Sequence, residues 1–291
     1  MIMENTDFEI RNLADTSFED ICTAFLDAFA DYGMTLDKVS LSAMLKRRGA
    51  RMDLSFAAFD NDRIVSFIIN GIGNFRGRTM AYDTGTGTIK EYRGLKLTDR
   101  IFAFAAHNLA KAGIESYILE VLTDNTPAVK IYTRQGFEIA REFDCYKGET
   151  SEIIGKLACR SNESVEIAAI PAEDIESYSR FFDFEPSWQN SIESIKRNSE
   201  AFVCLQAKKG PEVVGIAVSE AAYGDITLLA VSQEHRREGI GSRLLFELMK
   251  RNKLSTAKIL NVEHGCKSMA EFALAAGFAL SCTQYEMIKK I

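Results

Sequence analysis

Two short stretches of this chain carry the same punctuation at nearly the same spacing. Arg93-Gly-Leu-Lys-Leu-Thr98 and Arg236-Arg-Glu-Gly-Ile-Gly241 each follow an extended segment and precede helical periodicity. A Gly-Phe pair returns after each, at Gly136-Phe137 and Gly277-Phe278, so that arginine and glycine lie 43 and 41 residues apart. The surrounding order repeats as well: Phe8-Glu-Ile-Arg-Asn-Leu13 is echoed by Val165-Glu-Ile-Ala-Ala-Ile170, and Thr16–Ile21 by Pro171–Ile175. A period of about 140–155 residues is far too long for a solenoid unit, and 291 residues suit two domains. The pattern therefore predicts a duplicated domain, with boundaries at 1–148 and 164–291 and a polar linker over 149–163.

Each copy reads as mixed α/β. In the first, Phe8–Leu13 is a strand, and Ser17 caps a helix with Ile21, Phe25, Ala28 and Phe29 along one face. Gly33 ends that helix, and a second runs from Leu36 to Arg48. Leu54–Phe59 and Ile64–Ile69 form a hairpin. The long extended segment Thr79–Ile89 holds Gly85 and Gly87. Glycine inside a strand marks a bulge, or a place where a ligand or another backbone comes close. A helix over Lys96–Ala112, a buried strand over Ser116–Leu122, a short helix and a closing strand over Glu138–Tyr146 finish the copy. The second copy runs likewise, with helical segments at 175–182 and 187–198 and a single packing Trp188.

The short helix lies in Asn125-Thr-Pro-Ala-Val-Lys-Ile-Tyr-Thr-Arg-Gln-Gly-Phe137. Pro127 suits a first turn, where a missing N–H costs nothing, and Asn125 can cap exposed donors. Gly136 suits a left-handed C-terminal position. A strand opening onto a helix start that carries Asn and Tyr is a candidate reaction site, although an ordinary corner with a packed tyrosine leaves the same local pattern. The two arginine loops add to it. Glycines between a strand end and a helix start let the backbone approach a ligand, and the free N–H groups of the first turn favour a pyrophosphate. An arginine adds a charged fork. Arg236, Gly239 and Gly241 hold these places in the second loop, and Arg93, Gly94, Leu95, Lys96, Leu97 and Thr98 align on them in the first.

These residues resemble the GNAT superfamily of acetyl-CoA-dependent N-acyltransferases. Its loop reads Arg/Gln-x-x-Gly-x-Gly/Ala, and its second motif reads Asn-x-x-Ala-x-x-x-Tyr-x-x-x-Gly-Phe. The resemblance covers both halves. It implies an α/β chain of two tandem GNAT domains, each a twisted, mostly antiparallel mixed sheet flanked by helices and splayed between two central strands where acetyl-CoA enters. The halves depart from the pattern in opposite ways. The first keeps Asn125, Ala128, Tyr132, Gly136 and Phe137, but has Lys96 at the first glycine of the loop and Thr98 at its last small residue. The second keeps the loop but has Ala273 at the tyrosine position and Cys266 at the asparagine position.

The resemblance implies an N-acetyltransferase that moves acetyl from acetyl-CoA to a primary amine, with catalysis in the first domain. The alternative is a non-catalytic acyl-CoA-binding or sensing protein. By resemblance, backbone N–H groups among Thr86, Gly87, Thr88 and Ile89 hold the thioester carbonyl and pantetheine. The loops hold the pyrophosphate, and Asn125 steadies the pantetheine arm. Tyr132 protonates the departing thiolate or donates a hydrogen bond to it, since a phenol with a pKa near 10 stays protonated at neutral pH. For the base, Glu120 on the central strand comes first and Asp83 second. Asp31 and Tyr32, between the first two helices, are the candidates for contact with the acceptor.

A formal charge of −6 argues against nucleic acid or an anionic membrane as main partner. No apolar run approaches the roughly 18 residues of a membrane-spanning helix, and the first residues lack the basic-then-apolar order of a signal peptide. Six scattered cysteines form no CxxC pair and three histidines no ligand spacing. The expectation is therefore no metal and reduced thiols in a cytoplasmic protein. The expected partner is a small-molecule or peptide amine. The chain itself is expected as a monomer with paired domains, a fused copy supplying its interface at high effective concentration, or as a homodimer.

Overall fold

In the computed structural model, which describes residues 8–32, 37–160 and 162–291, local sequence signals set most element boundaries. The chain begins β1 (Glu9–Asn12), α1 (Phe18–Phe29), α2 (Lys38–Arg48), β2 (Phe56–Asp60), β3 (Arg63–Phe75), β4 (Arg78–Thr88), α3 (Leu97–Lys111), β5 (Ser116–Leu122) and α4 (Thr126–Arg134). Ser17 Oγ accepts from the Asp20 N–H at 3.1 Å and Asp37 Oδ1 from the Ser40 N–H at 2.7 Å, so both of the first two helices start on a side-chain cap. The strands lie in the order β1-β2-β3-β4-β5, all antiparallel except the parallel β4–β5 pair. Ile21, Phe25 and Ala28 of α1 pack with Leu41, Leu45, Phe59 and Phe67 in the core beneath β2 and β3. Gly33 and Leu36 lie outside the described residues.

The chain continues with β6 (Glu138–Glu149), α5 (Thr150–Ala158), β7 (Glu166–Ala169), α6 (Ile192–Arg197), β8 (Val203–Lys209), β9 (Glu212–Glu220), β10 (Asp225–Val231), α7 (Ile240–Met249), β11 (Thr256–Glu263), α8 (Lys267–Ala276) and β12 (Ala279–Lys290). Here the order is β7-β8-β9-β10-β11-β6, with β10–β11 the parallel pair. The mixed α/β class expected from the sequence is the one observed.

Two compact units result, and they are not contiguous in sequence. The first comprises the described residues up to Val121, with Asn125–Ala140 and Glu286–Ile291; the second comprises Leu122–Asp124 and Arg141–Tyr285. β6, the last strand of the first sequence copy, pairs with β11 from Thr256↔Glu149 to Glu263↔Phe143. The end of β12 belongs to the first unit instead. There Arg76 pairs with the fully buried Glu286 at 2.8 Å, Lys289 Nζ donates to the Gln135 carbonyl at 2.6 Å, and the Ile291 N–H to Glu115 at 3.2 Å. Closing strands that each follow a Gly-Phe corner are interchangeable to a local reading, and only long-range pairing decides between them.

The segment 149–163 is not a loose linker. It contains helix α5, which buries Ile153 and Leu157, one turn apart, in the core of the second unit. The stretch expected as a helix at 175–182 is a 3-10 run, Ala172–Phe181, and 187–198 divides into a 3-10 turn and the short α6. Trp188 is buried, as a packing residue should be. Among the described residues no helix is long and apolar enough to cross a membrane.

Candidate active site

β4 carries one extra residue, Thr84, between the pairs Ile69↔Gly85 and Asn70↔Asp83. A bulge of this kind turns the strand and re-aims its side chains. On its other edge β4 pairs with β5 through Met80↔Ser116, Ala81↔Tyr117 and Tyr82↔Ile118, and there the ladder ends. Beyond Tyr82 a gap opens between the two central strands. The Ile89 N–H donates to the Val65 carbonyl at 3.0 Å. Antiparallel residues alternate in direction, so Gly87 also faces β3, while the N–H groups of Thr86 and Thr88 face the gap. Of the four backbone positions expected to meet a thioester and pantetheine, two are available. The glycines answer to packing: a Cβ on Gly85 would come 2.8 Å from Phe25, and one on Gly87 2.7 Å from Phe67.

The bulge brings three side chains together. Asp83 Oδ2 accepts from Thr86 Oγ1 at 2.7 Å and from Tyr132 Oη at 3.2 Å. The residue as a whole is half-buried, but Oδ1 is shut off from solvent and has no hydrogen-bond partner among the described residues. Burial lifts the Asp83 carboxyl to about 6, against the opposing pull of the Thr86 and Tyr132 hydrogen bonds. Burial, then the Asp83 charge, pushes the Tyr132 phenol well above its ordinary value. Arg48 Nη1 donates to the Thr84 carbonyl at 3.0 Å and so holds the bulge itself. Glu120 acts on a different phenol: burial and then this carboxylate weaken the acidity of Tyr82. Tyr132 is thus joined to Asp83, the second of the two candidate bases.

Tyr132 is fixed by the helix predicted around it. Asn125 Oδ1 caps α4 by accepting from the Ala128 N–H at 3.3 Å, with Pro127 in the first turn. Gly136 has φ +88°, and the Phe137 N–H closes back on the Tyr132 carbonyl at 3.0 Å. Phe137 then packs edge-on against Tyr132, Tyr117 and Phe102.

The two loops have the same backbone shape with the glycine in opposite places. Gly94 (φ +84°) and Lys96 (φ +56°) are left-handed in the first, Arg237 (φ +66°) and Gly239 (φ +80°) in the second. Lys96 therefore keeps the conformation of the glycine it replaces. α3 and α7 begin directly after these residues, and their first-turn N–H groups have no intrahelical partner. That is the arrangement an anion needs. Leu97 is buried, Leu95 is exposed, and Thr98 Oγ1 lies 3.3 Å from Thr88 Oγ1.

The arginines are committed to the protein rather than offered as forks. Arg93 Nε donates to the Thr88 carbonyl at 3.1 Å, Nη1 to Asp31 at 3.1 Å and Nη2 to the Ala28 carbonyl at 3.0 Å. Arg236 repeats this with the Val231 carbonyl at 3.2 Å and Asp183 at 2.7 Å. Asp31 is a brace on the loop, its carboxyl held below the usual range by the Arg93 hydrogen bond and by Lys90. Tyr32 closes a 3-10 turn, Ala30–Tyr32, and its side chain lies outside what the structure describes. Sequence reasoning missed Asp183, although Phe29-Ala-Asp-Tyr32 and Phe181-Phe-Asp-Phe184 carry it at matching places.

The second unit rebuilds this scaffold without the tyrosine and the carboxylate. β10 has the same bulge, with Thr227 extra between Ile226 and Leu228, and pairs with β11 only at Asp225↔Lys258 and Ile226↔Ile259. Asp83 is matched by Ile226 and Tyr132 by Ala273, both buried. Cys266 precedes α8 without a side-chain cap. A cavity of about 660 Å³ remains, lined by Asp183, Val231, Arg236, Gly239, Ser268 and Phe272 among others. Among the described residues no three or more His, Cys, Asp and Glu cluster to hold a metal ion.

The profile of the acetyltransferase (GNAT) family matches residues 13–137 and 166–277. N-alpha-acetyltransferase 30 of Schizosaccharomyces pombe is 31% identical over 86 residues, which span 29% of this chain and 57% of that protein. Similar solved structures include a tandem GNAT protein from the clavulanic acid biosynthesis pathway, with TM-score 0.74, 14% identity and 98% of each chain covered. A GCN5-related N-acetyltransferase from Sphaerobacter thermophilus has TM-score 0.65 and 15% identity, over 98% of this chain and 96% of that one. At such identities the likeness is one of fold, and the profile covers most of the sequence. The chain belongs to the GNAT acetyltransferase family and carries the family's domain twice.

Proposed function

We propose that this chain is an acetyl-CoA-dependent N-acetyltransferase that acylates a primary amine in its first unit. The family supports acyl transfer in general. The observation that carries the finer reading is the hydrogen bond from Tyr132 to the Asp83 carboxylate, one residue past the last β4–β5 pair. The residues present fit a coenzyme A thioester. The N–H groups of Thr86 and Thr88 would pair with the pantetheine arm or polarise the thioester carbonyl, and the first turn of α3 would hold the pyrophosphate. Tyr132 would serve the departing sulfur and Asp83 the amine proton. The second unit keeps the loop and a cavity of useful size but has only Ile226 and Ala273 where the chemistry sits. Acetyl-CoA bound there would be held unchanged. All six cysteines are free, which suits a reducing compartment such as the cytoplasm.

The test is thiol release from acetyl-CoA in the presence of a panel of primary amines: peptide N-termini, lysine, polyamines and aminoglycosides. Turnover with at least one of them is expected. Tight acetyl-CoA binding with no amine acetylated would instead favour the non-catalytic, sensing role.

A further inference from the structure

Asp83 Oδ2 is a meeting point for two hydroxyls, Thr86 Oγ1 at 2.7 Å and Tyr132 Oη at 3.2 Å. Its other oxygen is shut off from solvent. While the carboxylate is ionised, the phenolic proton points at Asp83. A lone pair of Tyr132 Oη, rather than its proton, is then what faces an incoming group. In the resting enzyme Tyr132 is therefore set to accept a proton before it can give one. Asp83 Oδ1 is enclosed, and Oδ2 is bonded to the Tyr132 hydroxyl.

We propose that Tyr132 performs both proton transfers of the reaction, with Asp83 as the store between them and Thr86 as the group that positions Asp83. This rests on the acyl-transfer reading of the first unit. As the amine nitrogen bonds to the carbonyl carbon, Tyr132 Oη takes the nitrogen's proton and passes its own to Asp83 Oδ2. As the carbon–sulfur bond breaks, with its electron pair going to sulfur, Asp83 returns that proton to Tyr132 Oη. Tyr132 gives its own to the sulfur. One proton has moved from nitrogen to sulfur, Asp83 is again ionised, and Tyr132 is again neutral. No proton is drawn from solvent. The carboxyl's value of about 6 makes it a better acceptor than an ordinary aspartate by about 2 pH units, which suits a store that must hold a proton briefly. The bulge at Thr84, held by Arg48, is what fixes this carboxylate under the phenol.

The test is a double-mutant cycle on the full chain, with acetyl-CoA and whichever amine of the panel is acetylated fastest. Asp83→Asn and Tyr132→Phe should each lower kcat by about 10²–10⁴-fold, with the KM for acetyl-CoA within about twofold. Because the pair acts as one device, the double variant should be no slower than the slower single variant. Thr86→Val should move the acid limb of the pH–rate profile to higher pH, because it removes a hydrogen bond that favours the ionised carboxylate, and Thr86→Ser should move it back. Losses that multiply in the double variant, or an Asp83→Asn enzyme as fast as the unaltered one, would overturn the relay and leave acyl transfer standing. Absence of turnover by the unaltered chain with every amine would overturn both.

Discussion

Asp83 and Ile226 stand at the same step of two bulged strands, each one residue before the extra threonine, Thr84 or Thr227. The backbone device is identical and the side chain opposite in character. Where the apolar version fills the place, Ala273 holds the tyrosine's position and both residues are buried in one core. Where the charged version fills it, the neighbour is Tyr132. A desolvated carboxylate is costly to keep, and its place in only one of the two bulged strands supports the proposal that the chemistry belongs to the first unit.

That cost gives the first prediction. Asp83 has its folded-state pKa raised to about 6, so between the unfolded value near 4 and about 6 the folded chain binds more protons than the unfolded one. Stability from this group is present at low pH and is lost as pH rises through that window, by at most about 3 kcal/mol. Asp83→Asn should therefore raise the melting temperature at pH 8, have little effect at pH 4, and still abolish most turnover. Thermal unfolding at the two pH values, beside the rate assay, checks it. A variant less stable at pH 8 would contradict the assignment of a desolvated carboxylate.

A second prediction follows from the exchange of closing strands. Truncation after Tyr285 removes the partners of Arg76, Gln135 and Glu115 in the first unit. Acetyl transfer should be lost while the unfolding transition of the second unit stays in place. The single change Glu286→Ala should lower the stability of the first unit by about 1.5–3 kcal/mol, the range for a hydrogen bond to a charged group. Denaturant titration followed by residue-resolved exchange would separate the two transitions.

What the sequence made legible was local. Asn125, Pro127, Gly136 and Phe137 announce a short helix because caps act within a turn of the residues they satisfy. The two loops are legible for the same reason, and even Lys96 adopts the left-handed backbone its position requires. What stayed hidden was decided across the fold. β6 and β12 each follow a Gly-Phe corner at the end of a copy, and nothing nearby says which strands each will pair with. The polar composition of 149–163 concealed Ile153 and Leu157, whose spacing of four is a helical signal. That Tyr132 bonds to Asp83 depended on a bulge, and on where α4 set down the Tyr132 ring. The arginine forks went to Asp31 and Asp183 because these carboxylates were within reach, a matter of tertiary placement.

The loops supply a third prediction. A Cβ at Gly94 would meet nothing within 4 Å, while one at Gly239 would lie 2.7 Å from the Arg160 carbonyl oxygen. Gly94→Ala should cost about 1 kcal/mol, the strain of a left-handed alanine. Gly239→Ala should cost about 2 kcal/mol more, because backbone must shift as well. Urea midpoints for the two variants make the comparison, and equal losses would contradict it.

A fourth prediction concerns the free edge of β4. Acetyl-CoA should slow amide hydrogen exchange at Thr86 and Thr88, whose N–H groups face the gap. Gly87 and Ile89, already facing β3, should change little. Protection without this alternation would mean that the cofactor is not added along the strand.

The most direct test of the account is the turnover number of Tyr132→Phe in the acetyl-CoA thiol-release assay, measured beside its affinity for acetyl-CoA. If the first unit does the chemistry through this phenol, kcat falls by about 100-fold or more while binding changes by no more than about twofold. Turnover equal to that of the unaltered chain would contradict the account.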